Sequence, residues 1–490
     1  MLRGDRLVPG RDYDPWATNS NMLDYSALRF LLSVGTITGR KVGSSDGTQA
    51  YLNAWLPKPC FGRMPPVLRK FDADGTELIA LIVKCLYGHV VSGRKWQEQI
   101  HAFMVAPRGE GGLGCVRSTS NPCLYSYRGP GPNPGPIARM QWAHLGLATD
   151  NLFDCCSTDE LRADIIARLQ AKFPWVDEGP ISDVLSVLGA TAKQDLAAGT
   201  TTLSLKGYIE TVADEYKDLL TSRKVSTPAT SEIEAIVNEA LRTKEEPRDP
   251  KLIKWYQRVC GLLIFASIVC RPDMSYAAAM LSRAMAYPTE ALKAAAIRAI
   301  NYLVQHKSLC WTASKSTYFS ARHRSPKLRK GGADATIDAA FSDADFAAGP
   351  SMSGWAVLMA GAVVDYGAKR QSGTMLSSAG SEIVAGSVCA TYIMNKRLLL
   401  GEHGFPLSGA TTLYMDNMAA LAQYPESNHK TKHLERRHHY LRECVEAGEI
   451  AVRHVPTEFN IADMFTKALE PKKFRLFRAA VMNLPLESLA

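Results

Sequence analysis

Four acids in the last third of the chain, Asp343, Glu382, Asp416 and Asp463, could do chemistry together if the fold gathers them. Clustered carboxylates repel, and the usual relief is a divalent cation held by hard oxygen ligands. Two such ions about 4 Å apart can activate a water and stabilise a leaving oxygen in phosphodiester hydrolysis. Taken singly, each acid fits a helix cap or a solvated surface equally well. The question is therefore which elements carry them.

The local patterns answer in part. Residues 336–341 alternate like a strand that Asp343 closes, and two apolar runs, 354–360 and 363–368, flank Gly361-Ala362 as a hairpin. A helix is expected from Ser381 to about Leu400, with Glu382 at its start. Next come a strand over 412–415 ending at Asp416, a short helix through Ala419-Ala420-Leu421, a basic helix over 431–447 and a strand over 450–455. A last helix should open near Asn460, with Asp463 in its first turn. Three strands followed by alternating helix and strand predict a mixed sheet flanked by helices. Acids at strand ends and helix starts can converge on one edge of such a sheet.

A second group lies near the N-terminus. Asp46 and Tyr51 have the spacing of a metal-holding acid at a strand end and an aromatic that packs under an incoming sugar, although a core tyrosine is the plainer reading. Residues 129–136 (GPGPNPGP) cannot hold regular structure, yet both flanks look like strands, so they read as an enlarged hairpin loop. Polar stretches at 223–250 and 314–332 divide the chain into three blocks.

At 490 residues and 46% hydrophobic content the chain can fill two to four domain cores. Its net charge of +9 favours an anionic partner. The 11 cysteines form no CxxC pair and read as reduced, mostly buried thiols of an intracellular protein. No apolar leader opens the sequence, and the apolar run 259–270 is too short to span a bilayer, so it is expected to be a buried helix. His429, His433, His438 and His439 suggest zinc, but no cysteine stands at finger spacing. Lys430, Lys432, His433, Arg436 and Arg437 read better as a cationic helix face for a nucleic-acid backbone.

The wording around the acids adds a resemblance. SDADFA (342–347), SMSG (351–354), KRQ (369–371), LSSAGSE (376–382), YMDN (414–417), KTKH (430–433) and IADMFTK (461–467) occur in an order similar to the ribonuclease H domain of copia-type LTR retrotransposon Pol polyproteins. Carried over by position, the resemblance implies Asp343, Glu382, Asp416 and Asp463 as catalytic, metal-binding residues; Gly380 replaces the family's usual Glu. Upstream, DGTQAYLN (46–53) resembles the family's DVKTAFLNG. LYG (86–88) with GRKW (93–96) resembles LYGLKQAPRQW, and NPCLY (121–125), RPDMSY (271–276) and Tyr302-Leu303 have counterparts too. The likeness runs from about residue 6 to residue 485.

It implies an α+β multidomain chain. Residues 1–222 would be a truncated reverse transcriptase fingers and palm, 223–313 a helical thumb/connection region, 314–334 a basic linker, 335–475 a ribonuclease H-like mixed sheet flanked by helices, and 476–490 a tail. It also implies Asp46 and Asp150 as polymerase catalytic and metal residues and Tyr51, Arg94 and Lys95 as substrate-binding. Mg2+ or Mn2+ is the implied cofactor. RNA/DNA hybrid and template-primer are the implied partners, with dNTP if polymerisation works, other Pol or Gag products, and no membrane. The implied location is the cytoplasm, in virus-like particles, or the nucleus.

Two departures are expected to weaken the polymerase. Where the family has YVDD, this sequence has Ala148-Thr149-Asp150-Asn151, which loses one charge beside the metal ions. The sequence also begins near Arg6-Leu7-Val8, so most of the family's fingers are expected to be missing. The leading expectation is metal-dependent hydrolysis of RNA in a hybrid; a working reverse transcriptase and a non-enzymatic nucleic-acid binder are its rivals.

Overall fold

A computed structural model describes residues 7–132, 140–181, 185–315, 337–345, 350–421 and 440–485. It is a mixed α/β structure with several sheets, dividing into two compact units: Met1–Leu31 with Val42–Pro180, and Leu32–Lys41 with Ile181–Ala490.

The first unit carries strands β1 (Val42–Gly47), β2 (Trp55–Gly62), β3 (Ala80–Lys84), β4 (Val116–Arg117), β5 (Leu124–Pro130), β6 (Met140–Ala148), β7 (Asn151–Cys156) and β8 (Trp175–Pro180). β2 and β3 form a separate ribbon, and the rest make one sheet in the order β4-β5-β6-β7-β1-β8. The strands expected on either side of the Gly/Pro tract do pair, from Leu124↔Gly146 out to Pro130↔Met140. Helix Asp159–Lys172 starts where Thr158 Oγ1 accepts from Leu161 N at 3.1 Å, with Asp159 and Glu160 in its positive first turn. It buries Leu161, Ile165 and Leu169 in the core beside Trp96, Leu145 and Phe173.

The second unit opens its sheets with β9 (Leu185–Val187), β10 (Ala190–Asp195), β11 (Thr200–Ser204) and β12 (Cys310–Ser314), paired in the order β12-β11-β10-β9. That pairing ties residues 185–204 to residues 310–314 across the helical stretch between them. Residues 185–204 thus belong to the second compact unit, which takes up the chain again at Ile181. The apolar run 259–270 is the C-terminal half of helix Pro250–Val269, begun by the Asp249 cap. By length and composition this helix and Ser378–Glu402 could cross a bilayer, yet Tyr256, Val259, Leu263 and Ala266 are all buried.

The RPDMSY segment turns out to be a buried polar anchor. Arg271 and Asp273 pair at 2.7 Å with both side chains fully buried, Tyr302 donates to Asp273 at 2.7 Å, and Arg478 donates to the Tyr302 oxygen at 3.1 Å. Arg478 belongs to helix Pro471–Met482, so residues 476–482, expected as tail, are part of a packed helix.

The last sheet comprises β13 (Ala339–Ala344), β14 (Met352–Met359), β15 (Ala362–Arg370), β16 (Thr411–Met415) and β17 (Ile450–His454), in the order β15-β14-β13-β16-β17. β13–β14 and β14–β15 are antiparallel; β13–β16 and β16–β17 are parallel. This is the expected mixed sheet, with three differences. The hairpin turns at Ala360-Gly361, one residue earlier than expected, both at positive φ (53° and 78°), which matches the twist of the flanking strands. The long helix begins at Ser378 because Ser377 Oγ accepts from Gly380 N at 3.1 Å. Asp463 lies in a short 3-10 turn, Ile461–Phe465, and the final α-helix starts only at Pro471.

Candidate active site

β13 and β16 lie side by side with Phe341 opposite Tyr414, their rings stacked at 5.1 Å. Side chains two residues apart on a strand share a face. Two residues beyond that pair stand Asp343 and Asp416, so parallel register alone sets these two acids together at the C-terminal edge of the sheet. Asp463 reaches the same place from its 3-10 turn. That turn is fixed by Asn460, whose Oδ1 accepts from Ala462 N at 3.3 Å and whose Nδ2 donates to the carbonyl of Ser342 at 3.0 Å, next to Asp343. Gly354, the β14 partner of Asp343, gives the turn room: a Cβ there would come within 2.8 Å of Thr466 Cγ2 and 2.9 Å of the Ala462 carbonyl.

Asp343, Asp416 and Asp463 each offer a carboxylate oxygen, and these atoms lie within 4.8 Å of one another. Asp343 and Asp463 are buried and Asp416 is half-buried. Glu382, in the first turns of helix Ser378–Glu402, is also buried. Its Oε1 accepts from Ala344 N at 3.3 Å, while its Oε2 has no hydrogen-bond partner. Burial pushes the Glu382 carboxyl up to about 9, helped by repulsion from Asp343 and Asp416. Burial and Asp463 push Asp343 up to about 7, against the opposing pull of Lys467 and Thr466. An orphaned buried oxygen beside three converging carboxylates is a donor set that suits a hard divalent cation such as magnesium or manganese.

Sequence reasoning singled out the four acids but not the groups that answer them. Thr466 Oγ1 donates to Asp343 Oδ2. Lys467 Nζ stands 3.0 Å from Asp463 Oδ1 and 3.6 Å from Asp343 Oδ2, and Lys473 Nζ stands 2.6 Å from Asp463 Oδ2. The i,i+4 spacing of Asp463 and Lys467 was the available signal.

The N-terminal group is assembled differently. Asp46 on β1 faces Asn151 on β7, and Gly47 N donates to the carbonyl of Asp150 at 2.8 Å. Thr149 and Asp150 form the two-residue turn between β6 and β7. Thr149 is held at φ 58°, and its carbonyl accepts from the buried Trp96 Nε1 at 2.6 Å. Burial, then Asp150 and Glu178, raise the Asp46 carboxyl. Asn151 Nδ2 donates to Asp150 Oδ1 at 3.2 Å, so the amide both lacks a charge and occupies its neighbour's acceptor. Tyr51 sits in a 3-10 turn with its ring 4.6 Å from that of Tyr87, the tyrosine of the LYG segment. Arg94 and Lys95 both pair with Glu98, at 2.7 and 2.8 Å. Lys430, Lys432, His433, Arg436 and Arg437 lie outside the described residues.

No family model matches the chain. It is 23% identical over 98% of its length to the retrovirus-related Pol polyprotein from transposon TNT 1-94 of Nicotiana tabacum, and covers 34% of that protein. It is 24% identical over 98% of its length to that from transposon RE1 of Arabidopsis thaliana, covering 30%. Its homologues are the retrovirus-related Pol polyproteins of copia-type transposons. Over 97% of its length the chain is also 25% identical to the transposon Ty1-H Gag-Pol polyprotein of Saccharomyces cerevisiae, covering 25% of it. The Pol-related chain thus spans about a third or less of the length of these curated relatives. Among solved structures, a foamy viral protease-reverse transcriptase in complex with RNA/DNA hybrid aligns with 92% of the chain and 47% of its own, at 11% identity and a TM-score of 0.41.

Proposed function

We propose that the C-terminal part of this Pol-related chain hydrolyses the RNA strand of RNA/DNA hybrids, using magnesium or manganese. The observation that carries this reading is the trio of Asp343, Asp416 and Asp463, within 4.8 Å of one another, with the unpartnered Glu382 oxygen beside it. Bound there, divalent ions supply Lewis acidity, an activated water and stabilisation of the leaving oxygen. The chain's own part is to hold the acids in place before substrate arrives. Asn460 clamps the Asp463 turn to β13, Thr466 orients Asp343, and the Ala344 amide orients Glu382. The cations of Lys430, Lys432, His433, Arg436 and Arg437 are assigned to binding the hybrid's phosphates with release of their counterions, on their charge in the sequence.

In the N-terminal unit, Asp46, Asp150 and Tyr51 support a second reading, a template-primer site with weak dNTP-dependent extension. Asp46 has Asp150 and Glu178 as acidic neighbours, and Asn151 takes one acceptor of Asp150. To test the main reading, purified protein is given a labelled hybrid with magnesium or manganese. The wild type is expected to cut the RNA strand. Asp416→Asn, at the least buried acid of the trio, is expected to abolish cutting while leaving the circular dichroism spectrum and hybrid binding intact. Robust cleavage by that variant would remove the proposed site.

A further inference from the structure

Each oxygen of Asp463 lies beside a protein ammonium, but only Oδ2 accepts a hydrogen bond, from Lys473; Oδ1 has the Lys467 charge at 3.0 Å and no hydrogen bond, so a divalent ion that takes Oδ1 meets a like charge held there only as an ion pair. The two lysines are not equivalent. Lys473 stands in the first turn of helix Pro471–Met482, donates to the Thr457 carbonyl at 3.0 Å as well as to Asp463 Oδ2 at 2.6 Å, and lies 5.1 Å above the Phe477 ring. Releasing it would forfeit three contacts at once. Among the described residues Lys467 forms ion pairs with Asp463 Oδ1 and Asp343 Oδ2 alone, and its side chain is 41% exposed. Its flexible four-carbon stem can carry the ammonium into water, where it is readily rehydrated.

We infer that Lys467 is the resident counter-cation of the carboxylate trio, yielding its place between Asp343 and Asp463 to a divalent ion, while Lys473 stays and fixes Asp463 so that Oδ1 is the oxygen presented. The inference rests on the metal-dependent reading above. It adds a division of labour: Lys467 is a positioning residue that preassembles mutually repelling acids in the metal-free protein and competes with the ion, whereas Lys473 holds the ligand geometry in both states. The two cations of the Lys467 place, ammonium and metal, ask for the same oxygens, which is why one can stand in for the other.

The test uses the full chain stripped with EDTA and titrated with manganese alone, free Mn2+ being read by electron paramagnetic resonance. Lys467→Met should bind manganese tighter by roughly three- to tenfold, because a partly exposed competing ion pair is gone. Its melting temperature in EDTA should fall, and manganese should restore more of it than in the wild type. Lys473→Met should bind manganese no tighter than wild type, because Asp463 loses its anchor. If Lys467→Met does not fold, Lys467→Gln, which keeps the stem and a donor without the charge, is expected to tighten binding in the same direction. Unchanged or weaker binding by the Lys467 variants, with a wild type that does bind, overturns the exchange alone. Tightening in Lys473→Met that equals or exceeds that in Lys467→Met overturns the choice of lysine. A wild type that binds no manganese overturns both this inference and the metal-dependent reading.

Discussion

Replacing Asp343 by Asn should make the metal-free protein more stable while destroying its activity. The Asp343 side chain is 3% exposed, and its carboxyl rises from an ordinary 3.8 to about 7 through burial and the nearby Asp463. A carboxyl whose affinity for its proton rises on folding keeps that proton in the native state when the unfolded chain has released it. Stability contributed by this position is therefore intact below about pH 4 and is lost as pH rises towards 7. A rise of that size corresponds to about 4 kcal/mol at most. Asp343 and Glu382 titrate as a coupled pair, so the expected gain lies below that ceiling, on the order of 2 kcal/mol. The amide oxygen of Asn can still accept from Thr466. Urea denaturation in EDTA should place Asp343→Asn above wild type by about 2 kcal/mol at pH 8, with the difference vanishing near pH 4. Saturating manganese should reverse the order, since only the wild type gains the linkage free energy of binding. A variant less stable than wild type at pH 8 in EDTA, or a difference that does not change with pH, would refute the view that these acids are gathered at a cost.

Gly354→Ala places a methyl against Thr466, Phe465 and the Ala462 carbonyl; it should lower stability by about 1–3 kcal/mol and weaken manganese binding, and wild-type values for both would show that the Asp463 turn does not depend on that gap. Replacing Lys430, Lys432 and Arg436 by Ala should weaken hybrid binding and reduce its salt slope by about 0.7 to 0.9 per lost phosphate contact, so an unchanged slope in a salt titration refutes a backbone-facing role. Primer extension by the wild type should be very weak, and Asn151→Asp should raise it most at limiting magnesium by adding a ligand charge and freeing Asp150; equal extension across the magnesium range would place the defect elsewhere.

Local sequence patterns determined the elements that hold the acids. Strand alternation placed Asp343 and Asp416 at strand ends, and the pairing of Met359 with Ala362 around Ala360-Gly361 agrees with the hairpin read from the flanking apolar runs. These are short-range properties, because the period of a strand or the cap of a helix depends on neighbours within a few residues. Even there, Ser377 moved a helix start and Pro471 postponed another, each by a single capping or first-turn residue. Only the tertiary structure decided that Asp343 and Asp416 are in phase across a parallel pair, and that Asn460 reaches 118 residues back to the Ser342 carbonyl. It likewise decided that the two oxygens of Asp463 face different lysines. The reason is physical: a carboxylate's protonation and ligand role are set by charge and burial within a few ångströms in space, and the groups that supply them here come from strands, turns and helices that no local pattern brings together.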